Sequence, residues 1–203
     1  MGRMNGEDDG QKAARVATEV DLDGVSRTLW AAFHDDPLWS WAFPDRDKLE
    51  VWWRFLIKSA LRYPWVWITS GYTAASVWIP PGGSELTEQE EARVEPLLDD
   101  LLGARSGEVM ELLERFDASR PTGERHYYLS LLGTHPDYRG QGLGMALLAE
   151  NLAKIDEEAT AASLESSNPD NDKRYERLGF RRVGEFSTPE GSRTVATMWR
   201  EAR

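Results

Sequence analysis

The stretch Leu132-Gly133-Thr134-His135-Pro136-Asp137-Tyr138-Arg139-Gly140-Gln141-Gly142-Leu143-Gly144-Met145 decides how this chain is read. Before it, Arg125–Thr134 (RHYYLSLLGT) has the β-branched and aromatic character of a strand. After it, a helix is expected from about Gly142 to Glu158. Between them lies a turn with glycine at 140, 142 and 144. The first turn of a helix leaves N–H groups unpaired and carries partial positive charge. Glycines there let an anion reach those groups without meeting a Cβ, which suits a pyrophosphate. A tight strand-to-helix connection that binds nothing has the same residues. A P-loop is excluded because no Lys follows Gly144. A Rossmann fingerprint needs an acidic residue on the next parallel strand and usually sits near the start of a domain; this turn lies two-thirds along the chain, which excludes it.

Working outward, Ala14–Val20 alternates weakly as a first strand, and Asp21 is a candidate N-cap for a helix carrying Leu22, Val25, Leu29, Ala32 and Phe33. His34-Asp35-Asp36-Pro37 ends that helix, since the residue before a proline avoids the α region. A second helix is expected over Asp45–Arg62, up to Pro64. Trp65–Thr69 and Ala75–Ile79 read as a hairpin around Ser70–Thr73. Residues 85–118 hold two helical patterns split near Gly103–Gly107. Beyond the decisive turn come a short strand at Ala162–Ser166, a short helix at Asp170–Leu178 ended by Gly179, and an antiparallel pair at Phe180–Phe186 and Thr194–Arg200. The order is that of a mixed α/β (α+β) domain with a helical insert at about 85–118. One domain is expected over 13–203, with 1–12 as a polar, disordered leader.

Composition narrows the function. The formal net charge is −11, so a phosphate backbone would be repelled, and nucleic acid is not an expected partner. There is no Cys, which excludes disulfides, thiolate metal sites and a Cys nucleophile. The three His are not at helical ligand spacing, and no metal is expected. No run of about 18 apolar residues occurs, so no membrane span is expected, and a cytoplasmic location is.

With these residues in hand, a family resemblance becomes visible. Arg139-x-x-Gly142-x-Gly144, after His135-Pro136 and a strand, resembles the coenzyme A signature of the GCN5-related N-acetyltransferases (GNAT). Asn168, seven residues before Tyr175, and Tyr175-Glu176-Arg177-Leu178-Gly179-Phe180 resemble that family's closing segment. The N-terminal half, through Arg15-Val16-Ala17-Thr18 and Arg27-Thr28-Leu29, is similar to the puromycin-acetylating branch. The resemblance implies the GNAT fold, a mostly antiparallel sheet splayed between its fourth and fifth strands. It implies acetyl-CoA as cosubstrate, a small-molecule amine as acceptor and, at family level only, a homodimer. Leu132, Gly133 and Thr134 would meet the pantetheine arm. Arg139, Gly140, Gln141, Gly142, Leu143, Gly144 and Met145 would wrap the pyrophosphate, and Asn168 would lie near the pantetheine.

Acetyl transfer needs a neutral amine, a nitrogen held against the thioester carbon and a proton for the departing thiolate. Tyr175 is the candidate general acid, the resemblance putting it in the family's slot; its plain alternative is a core tyrosine. Glu165 is the candidate base, its alternative a carboxylate that only holds a cationic acceptor. Glu124, His126 and the pair Asp35-Asp36 stay open for the same role. Phe33, His34, Asp35 and Asp36 are candidate acceptor contacts; the alternative is a solvated helix end. Trp52 and Trp53 are adjacent on a helix, so only one is expected to face inward. The acidic run Glu85–Asp100 reads as a solvated face.

Overall fold

The computed structural model describes residues 14–203. The expected leader lies outside them. Seven strands form one sheet: β1 (Ala14–Val16), β2 (Val66–Thr69), β3 (Ala74–Ile79), β4 (His126–Thr134), β5 (Ala161–Ser166), β6 (Arg181–Ser187) and β7 (Thr194–Arg200). Their order is β1-β2-β3-β4-β5-β7-β6. Only β4 and β5 run parallel, because the connection between them is a helix rather than a hairpin. Their pairing runs from His126↔Ala161 to Leu129↔Leu164 and stops there. The next part of β4 stays paired to β3 as far as Thr134↔Ala74. Its other edge therefore faces a gap, as the splayed sheet requires. β1 is shorter than the alternation suggested. Asp21 stands in the expected N-cap position, but its carboxylate does not bond the following helix. It accepts instead from Arg15 (2.6 and 2.8 Å), the Thr18 amide (2.9 Å) and the Tyr72 hydroxyl (2.7 Å), tying the chain's first turn to the β2–β3 connection.

Two layers of helix cover the sheet. On one face lie α1 (Leu22–Phe33), α2 (Pro37–Ala42) and α3 (Arg46–Ala60). The insert joins them as α4 (Glu88–Glu91), α5 (Val94–Leu102) and α6 (Ser106–Ser119). Asp36 ends α1 in sequence, yet its side chain starts α2, accepting from the amides of Leu38 (3.0 Å) and Trp39 (3.1 Å) with Pro37 in the first helical position. α3 is sandwiched between α1 and the insert. That is why Trp52 and Trp53 are both 1% exposed, contrary to the expectation that one would turn outward. A helix clad on two sides can bury adjacent residues. Trp53 packs edge-on to Trp39 at 4.6 Å, and Trp52 stacks with Phe43 at 6.1 Å.

The opposite face is covered by α7 (Leu143–Glu157) and α8 (Asp172–Arg177). Leu143, Leu147, Leu148, Leu152 and Ile155 form the apolar stripe of α7. Its C-terminal turn is fastened to β7 by a two-pronged ion pair, Arg200 to Asp156 at 2.6 and 2.7 Å. The Arg200 side chain is 3% exposed, so removing its partner strands a buried guanidinium. Asp156→Ala is expected to cost about 3 kcal/mol of stability. Urea unfolding followed by circular dichroism measures it.

Candidate functional site

The gap between β4 and β5 opens into two cavities that share a wall. The first, of about 530 Å³, follows the end of β4 into the start of α7. Leu132, Gly133, Thr134, Arg139, Gly140, Gly142, Leu143, Gly144, Met145 and Asn168 all line it. The sequence named each of these as a donor contact. Gln141 does not line it. Several lining residues carried no signal of their own, among them Tyr138, Asn171 and Arg174.

Local geometry explains the shape of this cleft. Gly140 and Gly142 have φ of +82° and +76°, a left-handed backbone that other residues adopt only with strain. Gly142 is the N-cap of α7, and no side chain caps the helix there. The amides of Leu143, Gly144 and Met145 thus lack both intrahelical and side-chain acceptors. A Cβ on Gly133 would meet Ala32 Cβ at 2.6 Å, so glycine is what lets α1 cross β4 so closely. Arg139 donates to Ala32 O (2.8 Å) and pins the turn to the end of the same helix.

These residues fit a diphosphate followed by an extended amide arm. The bare helix start supplies N–H donors to the anion, with Arg139 and Arg174 as lining cations. The open edge of β4 from Leu132 to Thr134 supplies unpaired peptide groups, as a neighbouring strand would meet them.

The second cavity, of about 320 Å³, lies beyond the shared wall under the helical insert. Phe33, Asp36, Leu132, Asn171 and Tyr175 line both cavities. Glu165, at the end of β5, lines only the second. Neither of its carboxylate oxygens has a hydrogen-bond partner. Burial raises its pKa to about 7, more than offsetting the opposing pull of Arg120 and of the nearby Tyr128 hydroxyl, which stands too poorly placed for a well-formed hydrogen bond. Burial, reinforced by the negative charges of Asp36 and Asp172, lifts the Tyr175 phenol to about 12. A carboxylate that ionises near neutrality and a phenol that stays protonated therefore stand around one chamber.

The other candidates separate. Asp36 is 8% exposed and accepts from Ser167 Oγ (2.8 Å), so it is a buried joint between α2 and the end of β5, not a solvated helix end. Asp35 borders only the first cavity, is largely exposed and pairs with Arg46 (3.2 Å). His34 lines neither cavity; its Nδ1 lies 3.1 Å from Asp35 Oδ1. Glu124 and His126 also fall outside both, with the His126 ring against Trp199. Glu85 is no solvated residue. It accepts from Ser130 Oγ (2.5 Å) and is ion-paired to Arg120 inside the second cavity.

Arg120, Glu85 and Tyr128 are site residues the sequence reading missed. The insert brings the first two in, and only its folding shows which of its charges turn inward. Ser130 reaches Glu85 because the β3–β4 register slips beside it: Val77 pairs with Leu131, and Trp78 with Leu129. Such a bulge re-aims a side chain next to the opening gap.

Among the described residues no three His, Asp or Glu gather to hold a metal ion, and no helix is long and apolar enough to cross a membrane. Residues 118–199 match the family described as "Acetyltransferase (GNAT) domain". The whole described fold matches solved N-acetyltransferases. One is a histone acetyltransferase HPA2-related protein of Corynebacterium glutamicum, with TM-score 0.70 and 21% identity over 94% of this chain and 96% of that one. Another is arylalkylamine N-acetyltransferase 2 of Aedes aegypti, with TM-score 0.68 and 13% identity over 94% and 99%. A third is the polyamine N-acetyltransferase of Drosophila melanogaster that forms N-acetylagmatine, with TM-score 0.64 and 15% identity over 93% and 99%. The described residues have the GNAT fold, and residues 118–199 match that family's acetyltransferase domain.

Proposed function

We propose that this protein transfers the acetyl group of acetyl-CoA to a primary amine of a small molecule, by direct attack within a ternary complex. The observation that carries the reading is the shared wall. A cleft lined by the bare start of α7 and an acidic chamber meet at Tyr175, and Glu165, whose carboxylate oxygens make no hydrogen bond, lines the same chamber.

The residues divide the work. The bound thioester supplies the acyl group. The amides of Leu143 to Met145 hold its diphosphate end, and β4 aligns its arm toward the chamber. Glu165 takes a proton from the incoming ammonium, directly or through water, and frees its lone pair. A backbone amide near Leu132, on the unpaired edge of β4, faces the oxygen on which negative charge develops. Tyr175 gives its proton to the departing thiolate. The insert forms one side of the chamber, which favours a small acceptor over a protein chain. Among the relatives, amines of agmatine, polyamine and arylalkylamine type are the acceptors. The N-terminal likeness to puromycin N-acetyltransferase adds amine-bearing antibiotics to the compounds to be tried.

The test is release of coenzyme A thiol from acetyl-CoA on adding arylalkylamines, polyamines, aminoglycosides or nucleoside antibiotics in turn. Acetylation of at least one, with the product identified by mass, supports the reading. Tight acetyl-CoA binding with no thiol released by any amine makes the protein a sensor instead. A subordinate expectation concerns the turn. Gly142→Val puts a β-branched residue at φ +76°, so acetyl-CoA binding measured by calorimetry should weaken about tenfold or more while the circular dichroism spectrum is kept.

A further inference from the structure

The second cavity is rich in charge. Six carboxylates line it: Asp36, Glu85, Glu91, Glu114, Asp117 and Glu165. Among its lining residues Arg120 is the single cation. Both terminal nitrogens of its guanidinium and one of its faces are engaged, which leaves only Nε without a partner. Glu85 is ion-paired to one nitrogen, Asp117 lies 3.3 Å from another, and the Tyr128 ring lies beneath at 4.3 Å. Glu85 is held in turn by Ser130, so it cannot swing away without breaking a second contact. Part of the remaining wall is aromatic, with Trp39 stacked on Phe116 at 5.9 Å and Trp53 and Phe33 also lining the cavity, among leucines and other aliphatic side chains.

Resting on the acyltransferase reading, we infer that the acceptor is an arylalkylamine without a carboxylate, and that Glu85 sets this preference by occupying Arg120. The chemistry is direct. An amino acid carries its carboxylate one carbon from the reacting nitrogen. With the nitrogen at Glu165, that carboxylate would need a cation close by. Arg120 is the cation in the chamber, and it acts on Glu165 electrostatically. Its charge is spent on Glu85 and Asp117, so an incoming carboxylate meets their like charge instead. A decarboxylated amine meets no such repulsion. Its cationic form is drawn in past the exposed Glu91, Glu114 and Asp117, and its ring packs against the aromatic wall. Glu85 is thus a positioning and specificity residue, acting through Arg120.

The experiment compares phenethylamine, phenylalanine and phenylalaninamide as acceptors, reading kcat/KM from thiol release. The wild-type enzyme should favour phenethylamine over phenylalanine by about 100-fold or more, because a site built against a charge discriminates more sharply than one built on shape. Phenylalaninamide, of the same bulk but without the negative charge, should recover most of that loss. In Glu85→Gln the freed guanidinium should narrow the phenethylamine-to-phenylalanine ratio by about tenfold, through a lower KM for phenylalanine. The inference is overturned if wild type uses phenylalanine as well as phenethylamine, or if the amide is as poor as the acid. It is equally overturned if Glu85→Gln turns over with an unchanged ratio. If that variant does not fold, the wild-type comparison of acid with amide decides alone. Thiol release with other amines but none of these three sinks this inference and leaves the acyltransferase reading standing. No release with any amine removes both.

Discussion

Glu165→Gln is expected to lower kcat by about two orders of magnitude or more, the usual worth of a positioned base. It should also erase the rise of kcat/KM with pH expected of wild type around pH 7. The reason is the burial of the carboxylate at the end of β5. Its pKa stands at about 7, so at pH 6 most molecules hold a protonated, inert base, and at pH 8 most are ready. The same shift carries a stability signature of the opposite sign. A carboxyl whose folded pKa lies above its unfolded value binds more protons folded than unfolded. The folded state is therefore favoured by this group below pH about 4, and that advantage is lost as pH rises from about 4 to about 7. Glu165→Gln removes the cost of a buried charge. The apo variant should be more stable than wild type at pH 8, by up to about 3 kcal/mol, and no more stable at pH 4. Denaturant melts at the two pH values measure this. A variant less active yet more stable above neutrality is hard to explain by misfolding. Equal stability at pH 8 would remove the burial argument, and an unchanged pH profile would remove Glu165 from the chemistry.

Tyr175→Phe is the second large effect. The phenol stands where the two cavities meet, with its pKa raised to about 12, so it stays protonated throughout the working range. Removing the hydroxyl leaves the ring, its edge contact with Phe180 at 6.3 Å and the packing of α8. Acetyl-CoA affinity by calorimetry should therefore hold within about twofold, while kcat falls by about 100-fold or more. A good thiolate leaving group needs the proton less. Acyl donors whose thiol is more acidic should recover rate in Tyr175→Phe but not in Glu165→Gln. Full kcat in the phenylalanine variant would return Tyr175 to the role of a core residue.

How far the sequence carried this picture differs between the two halves of the site. The proposed donor cleft is made of backbone: positive-φ glycines, a bare helix start and the open edge of a strand. Such features leave local marks, which is why Gly140, Gly142, Gly144 and the strand before them could be picked out. Asn168 and Tyr175 were found because a short segment carries both. The acceptor chamber is made of side chains that converge from distant elements. Glu85 begins the insert, Arg120 follows α6, Tyr128 and Ser130 sit on β4, and Glu165 lies near the end of β5. No local pattern distinguishes Glu85 from the solvated acids after it. Trp52 and Trp53 show the same limit from the other side: helical periodicity assumes one buried face, and α3 has cover on two. Asp36 was misjudged because its partners, the α2 amides and Ser167, become visible only when the next helix is known to begin at Pro37.

A crystal structure of the protein with coenzyme A is the measurement that bears most directly on the central claim. The expected result is a diphosphate hydrogen-bonded to the amides of Leu143, Gly144 and Met145, an arm lying along Leu132 to Thr134, and a sulfur within hydrogen-bond reach of the Tyr175 hydroxyl. Coenzyme A bound elsewhere, or bound here with its sulfur far from that hydroxyl, would contradict the account.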